Sequence, residues 1–200
     1  MIGAIEQKLL DTVEAVSGTG AGKLGYIYKT IESYGNQLTA ENLKSVAQSF
    51  PAVLALYGGE RKPEEAPGGA LRRFPTFILF FGQLNRRNEE AARRGQGSKP
   101  GTYQMIEDAR AVFFRNDLGL AIEPIIPGAV RSIMNANHMS VYALELHTSF
   151  LENPSLVDAN ALDDFSTFHA DWDVAPHGNV TTPLPAAEAD ASDTLDNLET

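Results

Sequence analysis

The chain has 200 residues, a formal net charge of −10 and no cysteine. That length suits one domain with extensions or two small ones, and the missing thiols exclude disulfides and thiolate metal sites. The longest apolar run, Phe77–Phe81, is far short of the roughly 20 residues a membrane helix needs.

The N-terminus, Met1-Ile2-Gly3-Ala4-Ile5-Glu6, has neither a basic nor an apolar signal region, so a soluble intracellular protein is expected. Ile2, Ile5, Leu9, Val13 and Val16 recur every three or four residues, the stripe of an amphipathic helix over 2–16. Ser17-Gly-Thr-Gly-Ala-Gly22 stops it, because glycine disfavours helix. Leu24–Tyr34 reads as a strand. Thr39 can cap a short helix to about Ser49, with Glu41 in its first turn. Pro51 opens a second strand, Ala52–Tyr57, and the glycines, prolines and charges of 58–70 predict an exposed loop.

Leu71–Leu84 is the third strand. Its apolar run Phe77–Phe81 predicts a central position covered on both faces. The polar stretch Asn85–Gly101 reads as a long loop or arm. Thr102 then caps a helix to about Asn116, with Tyr103, Ile106, Ala109 and Phe113 as its buried stripe and Asp117-Leu-Gly119 as its end. Pro124, Pro127 and Gly128 mark a turn region. Met139–Leu151 alternates as a half-buried strand, with Tyr142, Leu144, Leu146 and Phe150 on one face and Glu145, His147 and Ser149 on the other.

The charges are sorted along the chain. Arg131 is the last base, and from Glu152 onward there are 11 carboxylates with no Lys or Arg. The preceding residues hold 15 acids and 16 bases. The expected organisation is therefore a near-neutral α+β domain over 1–152 and an acidic extension over 153–200, flexible beyond about 176. The acidic total argues against broad nucleic-acid binding.

Catalytic motifs are weak. Ser17–Lys23 imitates a phosphate loop, but its first glycine would fall on Ser17, Leu24 replaces the magnesium-binding hydroxyl, and a helix precedes it where a strand is needed. His169, Asp171 and Asp173 could aim metal ligands to one side of an extended segment. Nothing nearby supplies a glycine turn or a distal carboxylate, so a solvated acidic stretch anchored by Phe168 and Trp172 is the plainer reading. There is no G-x-S-x-G elbow, and Glu107 and Asp108 are adjacent on a helix and diverge. No cofactor and no metal are expected. The segment that invites a role is Arg86-Arg87-Asn88-Glu89-Glu90-Ala91-Ala92-Arg93-Arg94. Its arginine forks suit carboxylates across an interface, and its alternating blocks of charge also suit a plain solvated surface.

Arg87-Asn-Glu-Glu-Ala-Ala-Arg-Arg-Gly95, Gly101-Thr-Tyr-Gln-Met-Ile-Glu-Asp-Ala-Arg110 and Asp117-Leu-Gly-Leu120 together resemble the Mu-type phage tail-terminator family. Ile2-Gly-Ala-Ile-Glu6, Ser140-Val-Tyr-Ala-Leu-Glu-Leu146 and Asp164-Phe-Ser-Thr-Phe-His-Ala-Asp-Trp-Asp173 extend the similarity over most of 1–175. The resemblance implies an α+β fold, a small mixed sheet of about four strands flanked by helices. It also implies a structural virion protein without catalytic residues, assembled in the host cytoplasm and placed at the tail and neck. Such proteins form a hexameric ring on the head-proximal end of the tail tube, end its growth and join it to the head. The implied partners are further copies of the chain, the tube protein, a sheath where the tail is contractile, and a head-completion or neck protein, with genome DNA passing through the ring and no membrane. The interface residues expected are Arg86, Arg87, Glu89, Glu90, Arg93, Arg94, Tyr103 and Trp172. Two rival readings are a small metal-dependent hydrolase using His169, Asp171 and Asp173, and a soluble adaptor whose acidic tail mimics nucleic acid.

Overall fold

The structure, a computed structural model, describes residues 1–35, 38, 48–85, 87–96, 99–136, 138–153, 167–172 and 191–196. The chain divides into two units, Met1–Pro154 and Ser155–Thr200. The first is α+β: α1 (Ile2–Val16), β1 (Thr30–Ser33), β2 (Ala52–Glu65), β3 (Leu71–Leu84), α2 (Glu89–Arg94), α3 (Thr102–Phe113), β4 (Ile126–Ala136), β5 (Met139–His147) and β6 (Phe150–Glu152). Among the described residues no helix is long and apolar enough to cross a membrane. In the second unit β7 (Thr167–Trp172) pairs antiparallel with β8 (Ala191–Asp196).

The sheet of the first unit has six strands where about four were expected, in the order β1-β2-β3-β5-β4, with β6 on the far end of β3. β1 runs parallel to β2, and the other pairs are antiparallel. Period-two alternation decides which side chains meet the helices. Val53, Ala55, Phe77, Leu79, Phe81, Leu144 and Leu146 share one core with Ile5, Leu9 and Val13 of α1 and Met105, Ile106, Ala109 and Phe113 of α3. Both helices thus lie on the same face. The opposite face carries a smaller cluster of Phe50, Ala52, Met139 and Val141. Beyond that cluster Leu56, Ile78 and Phe80 are only half-buried. β3 is central, as expected, but it is not covered evenly on both faces.

Several expectations change. The strand over Leu24–Tyr34 shrinks to Thr30–Ser33 because Gly25, at φ +85°, turns the chain. Tyr26 then accepts from the Gly18 amide and buries its ring. The helix expected from Thr39 to Ser49 falls mostly outside the described residues. The predicted loop over 58–70 is largely strand. β2 continues to Glu65, and only Pro67–Gly69 form a 3-10 turn. Cross-strand pairing overrides the loop-like composition here. Arg73 forks onto the Glu60 carboxylate at 3.0 and 2.9 Å and reaches Glu152 at 2.9 Å, tying β2, β3 and β6 together. The Arg61 guanidinium stacks 3.4 Å from the Phe74 ring centre. Lys62 and Pro63 fall in the register irregularity between Arg61 and Glu64, where a missing amide donor breaks no ladder bond.

The turn region around Pro127 and Gly128 is the start of β4, with an irregularity between Pro127 and Val130. Gly128 leaves room for the His147 ring: a Cβ there would lie 2.3 Å from its Nε2, and the ring would have to move aside. The Met139–Leu151 strand divides into β5 and β6, and its alternation places Leu144, Leu146 and Phe150 in the core.

Candidate assembly surface

The segment expected to be an arm is a short helix clamped to the sheet. Asn88 caps α2 by accepting from the Ala91 amide at 2.8 Å. Glu89 and Glu90 occupy the first turn and Arg93 and Arg94 the last, the arrangement the helix dipole favours. Gly95, at φ +83°, ends it. The composition reads as a polar loop only while cap, first turn and stop are not taken together.

Three contacts fix α2 in place. Ala92 is fully buried. The Glu89 carboxylate accepts from the His138 amide at 3.3 Å, at the β4–β5 turn. The amides of Glu89 itself and of His138 hold that carboxyl below its usual range. Pro100, just before α3, is pinned by buried Gln83, whose side chain donates to the Pro100 carbonyl at 2.6 Å.

At the start of α3, Thr102 is not the cap; Gly101 occupies that position. Thr102 is fully buried and shares a hydrogen bond with the Ser140 hydroxyl at 2.9 Å, which itself donates to Asn135 at 3.0 Å. Tyr103 also departs from the expected buried stripe. It is 42% exposed and stands edge-on to Tyr142, with ring centres 5.6 Å apart. Met105 takes the core position instead.

The predicted interface residues are therefore placed as follows. Glu89, Glu90, Arg93 and Arg94 share α2, with Arg87 exposed just before it. Glu90 and Arg94 form an exposed ion pair at 2.9 Å. Arg93 turns toward Tyr103 and Tyr142. Arg86 lies outside the described residues. Trp172 belongs to the second unit, where its backbone pairs with Ala191. Sequence reasoning missed Gly101 and Tyr142 as parts of this corner. Gly101 could have been suspected from its place between Pro100 and a helix start. Tyr142 lies on the face shared with Leu144 and Leu146 and packs partly against the core, while its ring also meets Tyr103 at this corner.

The tyrosines report two different environments. For Tyr142, partial burial acts upward, but hydrogen bonds from Tyr103, Asn135 and Ser132 and the Arg93 charge outweigh it and hold the phenol below the usual 10.0. Tyr103 moves up, because it donates to Tyr142 and loses some water. Tyr26 and Tyr28 are buried edge to face, their hydroxyls 3.2 Å apart, and Tyr26 donates to Asp108 at 2.9 Å. Burial pushes both of these phenols far up. A folded-state pKa above the unfolded one contributes stability that is complete below about pH 10 and is lost as pH rises further. Titration followed by tyrosinate absorbance should show Tyr142 ionising first, a step removed by Tyr142→Phe. Tyr26 and Tyr28 should stay silent until alkaline unfolding above about pH 10, and Tyr28→Phe should move that unfolding to higher pH.

Lys23 of the phosphate-loop imitation hydrogen-bonds the Ala15 carbonyl near the end of α1. Among the described residues no group of three or more His, Asp or Glu is placed to hold a metal; the side chains of His169 and Asp171, and all of Asp173, lie outside them.

A family model described as bacteriophage Mu Gp37 matches residues 1–151. No curated protein matches the chain. The matched stretch ends in β6, so it takes in almost the whole first unit and leaves out the Asp164–Asp173 segment. The chain belongs to the bacteriophage Mu Gp37 family and is a phage protein of the structural and assembly class.

Proposed function

We propose that this protein is the tail-tube terminator of its phage: it forms a ring at the head-proximal end of the tube, ends tube growth and supplies the joint to the neck. The α2 corner carries this reading. It is a helix too short to be stable alone, yet it is clamped by a buried alanine, by the Glu89–His138 contact and by the Gln83–Pro100 contact. Clamped so, it presents Arg87, Glu90 and Arg94 to solvent. Rigid placement of exposed charge suits docking, since little side-chain and backbone order is left to impose on binding.

A tube grows by heterologous contacts that do not close along its axis. A terminator must match one end and offer no copy of that end above it. Repeated modest contacts around a ring give avidity, so each α2 corner needs only a weak match to its neighbour or to the tube. Tube protein and neck protein are the partners this role requires, joined by a sheath only where the tail is contractile.

The test is tube assembly with and without the purified chain, with tube length read by electron microscopy. Wild type should shorten and cap tubes. The triple variant Arg87→Ala, Glu90→Ala, Arg94→Ala should keep its fold, since exposed substitutions change stability by about 0.5 kcal/mol or less. Its capping should weaken by about tenfold or more, because avidity multiplies a small loss per site. Tubes of unchanged length at saturating wild-type protein would overturn the proposal.

A further inference from the structure

We infer that copies of this chain meet head to tail across opposite edges of the sheet. The α3–β4 edge of one copy would pack on the α1–β1 edge of the next. The inference rests on the ring reading above and names the contact that builds the ring.

β1 and β4 are the terminal strands of the sheet. Beside β4, Phe114 and Ile126 are 57% and 61% exposed and line one open groove of about 390 Å³ with Arg110 and Pro127. The two sit side by side, so this edge exposes a small contiguous apolar patch where a lone exposed side chain would need no explanation. Beside β1, Ile27 is 64% exposed on a groove of about 450 Å³ that also holds Glu14, Lys29 and Glu32.

The charges decide the pairing. Arg110 gives one hydrogen bond, to the Gly128 carbonyl at 3.3 Å, and Arg115 lies 5.5 Å from the Phe114 ring centre. Neither arginine has an ion-pair partner among the described residues, and neither has Glu14 or Glu32. A symmetric contact of the β4 edge with itself would bring Arg110 and Arg115 against their own copies. A symmetric contact of the β1 edge would set two grooves against each other that each hold Glu14 and Glu32 against the single Lys29, net acid against net acid. Like charges so placed are repelled. The heterologous contact sets Phe114 and Ile126 against Ile27 and brings arginine to glutamate. A head-to-tail contact of this kind closes into a ring when its rotation allows, whereas a symmetric one stops at a dimer.

The chain has no cysteine, so introduced thiols report without background. The double variant Ile27→Cys, Ile126→Cys should give, on oxidation in the presence of tubes, a ladder of cross-linked species ending at the ring. Each single variant should stay monomeric on a non-reducing gel, and an equal mixture of the two should stop at dimers. Arg110→Glu with Arg115→Glu should cut the cross-linked yield by about tenfold, and Glu14→Arg with Glu32→Arg in the same chain should restore it. Dimers from Ile126→Cys alone would overturn the head-to-tail arrangement. Capped tubes without cross-links would overturn the edge contact and leave the terminator reading standing. Cross-linked ladders beside uncapped tubes would uphold the contact and overturn the terminator reading, and the absence of both would overturn both.

Discussion

Phe81→Ala should lower the unfolding free energy by about 3–5 kcal/mol, and Phe80→Ala, one residue away in the same strand, by less than half of that. Phe81 is fully buried in the core shared by α1 and α3. Its removal leaves a cavity between sheet and helices that a rigid two-layer packing cannot close. Phe80 points to the other face, is half-buried, and rests with its ring centre 4.9 Å from that of Tyr34. For a domain of this size the larger loss corresponds to a fall in Tm on the order of 10 °C. Thermal unfolding followed by circular dichroism measures both variants directly. Equal losses would mean that the two faces are equally covered, the arrangement expected from the sequence and not found in the fold.

That contrast marks what the residues reveal about this fold. An apolar run fixes a central strand, and β3 keeps the bounds Leu71–Leu84 expected of it. The run cannot report how many layers lie above it, because that depends on where α1 and α3 dock. α1 was legible for the same reason as β3: its stripe has one strong period. Strands held by charged cross-strand pairs were not legible. Glu60 looks like a loop residue until strand pairing brings its carboxylate within 2.9 Å of Arg73, a residue already expected in β3. β4 was hidden by Pro127 and Gly128, whose usual meaning is a turn; here the glycine makes room for the His147 ring. At the candidate surface the residue types were readable and their setting was not. A capped helix of six residues gives too short a pattern to separate from a polar loop. Tyr103 falls just off the buried stripe of α3, because Thr102 and Met105 on either side of it take the core positions of that turn.

Gly101→Ala should displace α2 and abolish tube capping while leaving the helix–sheet core intact. At Gly101 φ is −94°, which any residue adopts, so the objection to a side chain is one of space alone. An added Cβ would lie 2.1 Å from the Arg93 carbonyl oxygen, 2.3 Å from the Gly95 amide nitrogen and 2.4 Å from the Arg94 carbonyl carbon. All three are backbone atoms, and no rotamer change can relieve them. The end of α2 must move off the start of α3, and the Ala92 and Glu89 contacts go with it. Forced overpacking of this kind costs roughly 1–3 kcal/mol. Gly3→Ala is the matched control. It lies within α1 with nothing near its Cβ, and replacing glycine in a helix should stabilise by about 0.5–1 kcal/mol. The measurements are Tm for both variants, amide exchange across 89–94, and tube length with each protein added. The expected result is faster exchange in α2 and lost capping for Gly101→Ala alone, with the exchange protection of α1 and β3 retained. A Gly101→Ala protein that keeps both its Tm and its capping would show that the close approach of these two helices plays no part in assembly.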